Sequence, residues 1–113
     1  MTSVNEINTA LHGTAMQLQD AQALAKQHDT FWAPSNKQLK QVKNGSIVKI
    51  CNGKERFWVI IEGRQKNIYM GHIRNNLLFS TYAFGDLIAF EENQIVIIKI
   101  LLCNMFSVVS ENL

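Results

Sequence analysis

The sequence predicts a small α+β domain in which a barrel or rolled antiparallel sheet of four to six strands follows an N-terminal helical arm. The first 28 residues are rich in Ala, Gln and Leu, and their apolar positions recur at helical spacing. Short β-branched and aromatic segments follow, separated by turn residues roughly every eight to twelve positions. With 113 residues, of which 47% are hydrophobic, the chain can build one domain with its own core.

The helical arm covers residues 2–28. Ser3 and Glu6 match a capping box, in which a hydroxyl and a carboxylate satisfy the first helical turn. His12-Gly13 can break or bend the arm, because glycine costs roughly 1 kcal/mol relative to alanine inside a helix. The apolar stripe is narrow, so we expect it to pack against the sheet or a second copy of itself.

An extended link joins the arm to the sheet. Pro34 disfavours helix at the preceding residue, and Ser35 is a suitable N-cap for a short helix that reaches Val42. We expect Phe31 and Trp32 to anchor this link on the core. The alternative is that the two rings stack against a ligand.

The strands are predicted from runs of β-branched and aromatic residues between turn signals. Asn52-Gly53 is typical of a two-residue type I′ hairpin turn and leads into the central strand. The predicted strands are 46–51, 55–63, 67–74, 87–91 and an apolar strand from Ile95, with 77–82 as a further short strand.

Side chains alternate across a strand, so sequence phase assigns the two faces of the sheet. The core side is predicted to carry Val48, Ile50, Phe57, Val59, Ile61, Ile73, Ile88 and Phe90. The opposite side is predicted to carry Arg56, Trp58 and Ile60 together with Lys49, Met70, His72 and Arg74. Either the helical arm or the tail covers Trp58, or Trp58 is free to meet a partner.

We divide the chain into a helical arm (1–30), a β domain (31–99) and an apolar tail (100–113) that packs on the domain. The run 95–109 is strongly apolar, but it is shorter than the about 20 residues of a membrane span and contains Lys99 and Asn104. The polar N-terminus lacks the apolar segment of a secretory signal. We therefore expect a cytoplasmic protein without membrane attachment, with Cys51 and Cys103 as free thiols.

Several short motifs occur in a fixed order between Phe31 and Ile97. They are Asn44-Gly45-Ser46-Ile47-Val48-Lys49, Glu55-Arg56-Phe57-Trp58-Val59, Gly71-His72-Ile73-Arg74-Asn75 and Gly85-Asp86-Leu87-Ile88-Ala89-Phe90. Their order resembles a family of small bacterial proteins, the domain of unknown function 2314, and its relatives. The resemblance implies an SH3-like β-barrel with no established activity, and some similar domains are regarded as immunity proteins that neutralise toxins. Ile60 departs from the family pattern, which tends to be charged there, as do Leu77-Leu78.

The middle of the chain is basic. Residues 30–80 carry nine Lys or Arg against two Glu, whereas the segments on either side are net acidic, and the whole chain is +2. A basic middle can attract an anionic partner. The alternative is a solvated surface that the acidic ends of the chain neutralise.

Catalytic signals are weak. His12, His28 and His72 lie far apart in sequence, and neither a phosphate-binding glycine loop nor metal-ligand spacing occurs. A Cys51–His72 nucleophilic pair would require the first and third strands to be close. We predict that the protein is not an enzyme and uses neither a cofactor nor a metal.

The sequence instead predicts a protein-binding module, of the immunity or inhibitor type, that neutralises a toxin or host-defence protein. Trp and Arg dominate binding hot spots. The predicted partner-binding residues are Lys49, Arg56, Trp58, Arg64, Met70, His72 and Arg74. One alternative is a nucleic-acid-binding small barrel that uses the basic middle, and another is a homo-oligomer formed through the helical arm or the tail.

Overall fold

The computed structural model describes residues 3–99; the predicted apolar tail and the Cys103 thiol lie outside the described residues. The described part is an α+β domain with three α-helices and a five-stranded antiparallel sheet. Its elements are α1 (Val4–His12), α2 (Ala21–Gln27), α3 (Asn36–Leu39), β1 (Ile47–Cys51), β2 (Arg56–Gln65), β3 (Ile68–Ile73), β4 (Leu87–Glu91), a 3₁₀ turn (Glu92–Gln94) and β5 (Ile97–Lys99).

The strand order across the sheet is β4-β3-β2-β1-β5, and all neighbouring pairs are antiparallel. The first four strands form a meander, and β5 returns to pair with β1. The α+β class and the five-stranded antiparallel sheet are as predicted. Because β4 and β5 are the two edges and do not pair with each other, the sheet is open and the SH3-like barrel is not confirmed.

The core lies on the inner face of the sheet. Every side chain that sequence alternation assigned to this face is buried, from Val48 in β1 to Phe90 in β4. Leu39 of α3 covers these strands, as do Met16, Tyr82 and Ile95 from connecting segments. The predicted assignment of side chains to the core face is therefore confirmed. It could be made from sequence because successive side chains of a strand lie on opposite faces of the sheet.

The predicted arm is two helices rather than one. Ser3 and Glu6 form the predicted capping box at the start of α1. The helix ends at His12 because Gly13 adopts a left-handed conformation with φ of 80°. Residues 14–20 are not helical, and they bring Met16 into the core. Burying Met16 outweighs the helical propensity of this segment.

Helix α1 packs on strand β4 of the same chain, and the helix buries one of its faces in this contact. Asn8 is completely buried, and its side-chain amide bonds both backbone groups of Ala89. His12 Nε2 donates to the Leu87 carbonyl at 2.6 Å. Side chains of α1 thus occupy three polar backbone groups at the edge of β4.

The connections differ from prediction at several points. Ser35 caps α3 as expected, with Gln38 completing a capping box. Asn52-Gly53 does not form a type I′ turn, because Asn52 lacks a positive φ. Its side-chain Oδ1 instead accepts from the amides of Lys54 and Glu55 and closes a longer loop. The segment 77–82 is not a strand.

The prediction that both Phe31 and Trp32 anchor the link on the core is wrong for Trp32. Phe31 packs beside a small buried cluster of Ala21, Cys51 and Val96, but the Trp32 side chain is 82% exposed. Within residues 3–99, no helix combines the length and apolar character needed to cross a membrane.

Candidate functional site

The outer face of the sheet, defined as the side opposite the core, brings together most of the predicted partner-binding residues. Ile97, Lys49 and Trp58 are successive cross-strand neighbours in β5, β1 and β2. A second row spans all five strands and consists of Lys99, Ile47, Ile60, His72 and Leu87. Met70 follows on β3, one alternation away from His72. The outer face therefore combines apolar side chains with cations.

Trp58 lies in the middle of the outer face and is only partly buried. The ammonium of Lys49 lies 4.5 Å from the centroid of the Trp58 ring, a distance suited to a cation–π contact. The Trp58 backbone is held on the β3 side, where its amide donates to Asn75 Oδ1 at 2.6 Å and its carbonyl accepts from the Arg74 amide at 2.8 Å. These two hydrogen bonds fix the strand that carries the ring.

Two arginines flank Trp58, and each meets an aromatic ring. The guanidinium of Arg56 lies 5.5 Å from the centroid of Phe31, and that of Arg74 lies 5.8 Å from Phe84. Both arginines are exposed. Because an aromatic ring restricts the guanidinium without neutralising it, both charges are oriented and available to an anionic partner.

His72 has partners within its own chain. Its Nδ1 donates to the Gly85 carbonyl at 3.0 Å, and its Nε2 contacts the Glu62 carboxylate. Met70, on the same strand, is partly exposed. Met70 adds apolar area to the outer face, and the contact with Glu62 reduces the positive charge near His72.

Arg64 does not lie with the other predicted residues. The register of β2 against β3 shifts between Ile61 and Gly63, and this β-bulge changes the face on which the following side chains lie. Arg64 consequently packs over Tyr69, with its guanidinium 4.9 Å from the ring centroid, and donates to Glu92 at 3.0 Å. A bulge leaves no clear mark in sequence alternation, so the side on which Arg64 lies could not be predicted from the sequence.

Tyr69 belongs to the same structural cluster. Its hydroxyl donates to Glu92 Oε2 at 2.9 Å. Burial and this carboxylate raise the pKa of Tyr69 to about 12. Arg64, Tyr69 and Glu92 therefore tie β2 and β3 to the 3₁₀ turn, which is a structural role.

A cleft of about 840 Å³ adjoins the outer face at strand β5. One wall is the link from Thr30 to Pro34, and β5 with the start of β1 forms another. The cations that line it are Lys43, Arg56 and Lys99, and none of its described lining residues is acidic. Sequence reasoning missed this cleft because neither its volume nor the exposure of Trp32 leaves a local signal.

A second exposed apolar feature lies in the loop between β3 and β4. The two carboxylate oxygens of Glu55 accept from the amides of Leu78 and Phe79, at 3.0 Å and 2.8 Å. The side chains of these two residues are 83% and 61% exposed. The contact was not predicted, because it joins residues far apart in the chain.

Two chemical alternatives can be compared with the geometry. His72 pairs with Ile60, whereas Cys51 pairs with Arg56 at the other end of the strand, so the Cys51–His72 pair does not form. Cys51 is instead buried beside Ala21 and Val96. Among residues 3–99, no three His, Cys, Asp or Glu side chains cluster closely enough to hold a metal ion.

Comparison with known proteins does not assign the chain to a family. The chain matches no protein-family model, and neither a curated protein nor a solved structure is detectably similar to it. The resemblance to the domain of unknown function 2314 stays a prediction.

Proposed function

We propose that this domain binds another protein through its outer face and has no catalytic activity of its own. The observation that carries the proposal is Trp58, a partly exposed ring on a fixed strand with Lys49 above it. Two exposed arginines flank the ring. Trp and Arg are the side chains that most often dominate binding energy at protein interfaces.

Preorganisation of the outer face also supports binding. The Trp58 backbone bonds to Asn75 and Arg74, and aromatic rings orient Arg56 and Arg74. A partner would therefore pay little conformational entropy to order these groups, which increases affinity for a given contact area. The positive charges favour a partner with an acidic surface.

We further propose that the domain acts as an immunity or inhibitor protein that neutralises a toxin or host-defence protein. A small, non-catalytic domain can block such a target by covering its functional surface. The resemblance to domain of unknown function 2314 and its immunity-protein-like relatives supports this by analogy, including the suggestion that the open sheet is a variant of an SH3-like barrel. Fold resemblance does not determine function, so the partner must be identified directly.

The alternative is a nucleic-acid-binding domain that uses the basic middle of the chain. The rings of Trp58, Phe31 and Phe84 each have a cation packed on them, which leaves them less available for stacking on bases. The carboxylate of Glu62 also lies on this face. Both observations favour a protein partner.

The experiment is capture from native lysate by the intact chain, followed by reconstitution from purified components. We expect one stoichiometric protein, with an affinity that Arg74→Glu lowers by about tenfold or more because a hot-spot charge is reversed. Lys26→Glu is the matched control, since it makes the same charge change at an exposed position on α2. Recovery of chaperones alone, or binding to labelled RNA or DNA that falls steeply with salt, would contradict the proposal.

A further inference from the structure

The two edge strands of the sheet, β4 and β5, differ in what contacts their outer backbone groups. At the β4 edge, Asn8 and His12 of α1 occupy backbone groups of Ala89 and Leu87. At the other edge, β5 pairs with β1 on one side, and the strand order within residues 3–99 ends there. An unoccupied strand edge can pair with another extended chain. The cleft of about 840 Å³ lies beside this edge.

One wall of the cleft is apolar. It consists of Phe31, Trp32, Ala33 and Pro34, and the Trp32 side chain is 82% exposed. Ile97 on β5 adds a further exposed apolar side chain. Exposed Trp is uncommon on soluble domains and is enriched at binding surfaces, where its ring fills a partner's contact area.

The charge of the cleft has one sign. Lys43, Arg56 and Lys99 line it, and no acidic residue does so in the described part of the chain. An occupant that carries carboxylates would meet complementary charge in the cleft. An occupant that carries cations would be repelled.

We propose that the β5 cleft takes an extended acidic segment of a partner protein, which adds to the sheet as a sixth strand beside β5. Strand addition supplies backbone hydrogen bonds, and alternate side chains determine specificity. In such a strand, apolar residues would face the 31–34 wall and carboxylates would reach Lys43, Arg56 and Lys99. The inference rests on the proposed function and names the chemical class of the partner.

Two other occupants fit the charge less well. A second copy paired with β5 through a two-fold axis would place the same basic cleft on both sides of the interface, so the like charges would repel each other. Residues 100–113 contain one acidic side chain, Glu111, so they supply little complementary charge. An acidic partner segment could form backbone hydrogen bonds with β5 and place its carboxylates beside the cations of the cleft.

The test uses the full chain and a labelled peptide of about seven residues in which Val and Glu alternate, the length of an ordinary strand. A matched peptide with Lys in place of Glu is the control. Fluorescence anisotropy should show saturable binding of the Glu peptide, and binding should be weaker by about tenfold or more for the Lys peptide. Lys99→Glu and Trp32→Ser should each weaken the Glu peptide by about fivefold or more, and Lys26→Glu should leave its affinity unchanged.

The variants change exposed side chains, and circular dichroism verifies that they fold. Absence of binding to the Glu peptide overturns the inference, as does equal binding of the Lys peptide. A concentration-dependent dimer that Trp32→Ser dissociates, or preferential binding of an oligonucleotide, also overturns it. If a captured partner binds the Lys99→Glu and Trp32→Ser variants normally but loses affinity for Arg74→Glu, the inference fails while the proposed function stands.

Discussion

The side-chain amide of Asn8 bonds the backbone of Ala89 twice, with Nδ2 2.9 Å from the carbonyl oxygen and Oδ1 2.8 Å from the amide nitrogen. A helix residue thereby makes the hydrogen bonds that a neighbouring strand would otherwise make. The pair is completely buried. It fixes α1 to the sheet and prevents the β4 edge from pairing with another chain.

Replacing Asn8 with Ala should destabilise the protein by about 2 to 4 kcal/mol, because two buried backbone groups of Ala89 lose their partners. Urea unfolding followed by circular dichroism measures the change. Asn5→Ala is the control, since Asn5 is exposed on the same helix and should change stability by no more than about 0.5 kcal/mol. Equal stabilities for the two variants would show that the amide does not hold the edge.

Gly71 is required where β3 pairs with β2, opposite Ile61. A Cβ at this position would lie 2.4 Å from the Ile60 carbonyl oxygen and 2.5 Å from Val59 Cγ1. Gly71→Ala should therefore cost about 1 to 3 kcal/mol in thermal or urea unfolding, because the strands must separate. Gly63→Ala provides the control, since a Cβ there meets no atom within 4 Å. A neutral Gly71→Ala would mean that the strands separate without cost.

Tyr69 should titrate abnormally. Burial and Glu92 raise its pKa to about 12, whereas the unfolded value is about 10. The folded state thus favours the protonated phenol, and the resulting stability is complete below pH about 10 and is lost as pH rises through about 12. Glu92→Gln should lower the pKa of Tyr69 because the carboxylate charge is removed.

Tyrosinate absorbance measures this titration. The chain has two tyrosines, and burial also raises the pKa of Tyr82. Tyr69→Phe leaves Tyr82 as the single signal and so assigns the two transitions. An unchanged curve in Glu92→Gln would contradict the role given to the carboxylate.

Glu55 should hold the loop between β3 and β4 in one conformation. Glu55→Ala removes the acceptor of the Leu78 and Phe79 amides, and their hydrogen exchange should accelerate by about tenfold or more. Amides in the core of β2, such as that of Val59, serve as the internal control. Unchanged exchange at Leu78 and Phe79 would show that other contacts hold the loop.

The faces of the sheet were predictable from sequence because a strand places alternate side chains on opposite sides. Phe57, Val59 and Ile61 are buried for this reason, and Trp58 lies opposite them. The same pattern brought Lys49, Met70, His72 and Arg74 to the correct side. The side on which Arg64 lies was not predictable, because one extra residue in the β-bulge reverses the alternation after Ile61.

Features that depend on distant contacts were not predictable. The arm has helical composition throughout, but burial of Met16 in the core requires the extended segment after Gly13. The exposure of Trp32 depends on what surrounds it rather than on its neighbours in sequence. The place of β5 at an edge of the sheet within residues 3–99 follows from strand order, which no local pattern encodes.

The most direct test of the account is the affinity of the reconstituted partner for Trp58→Ala, measured by isothermal titration calorimetry. If the outer face is the binding surface, Trp58→Ala should weaken binding by about 2 kcal/mol or more, roughly thirtyfold in Kd. Arg74→Glu should weaken it as well, while Lys26→Glu should not. Wild-type affinity in both Trp58→Ala and Arg74→Glu, with the fold intact, would show that the partner binds elsewhere.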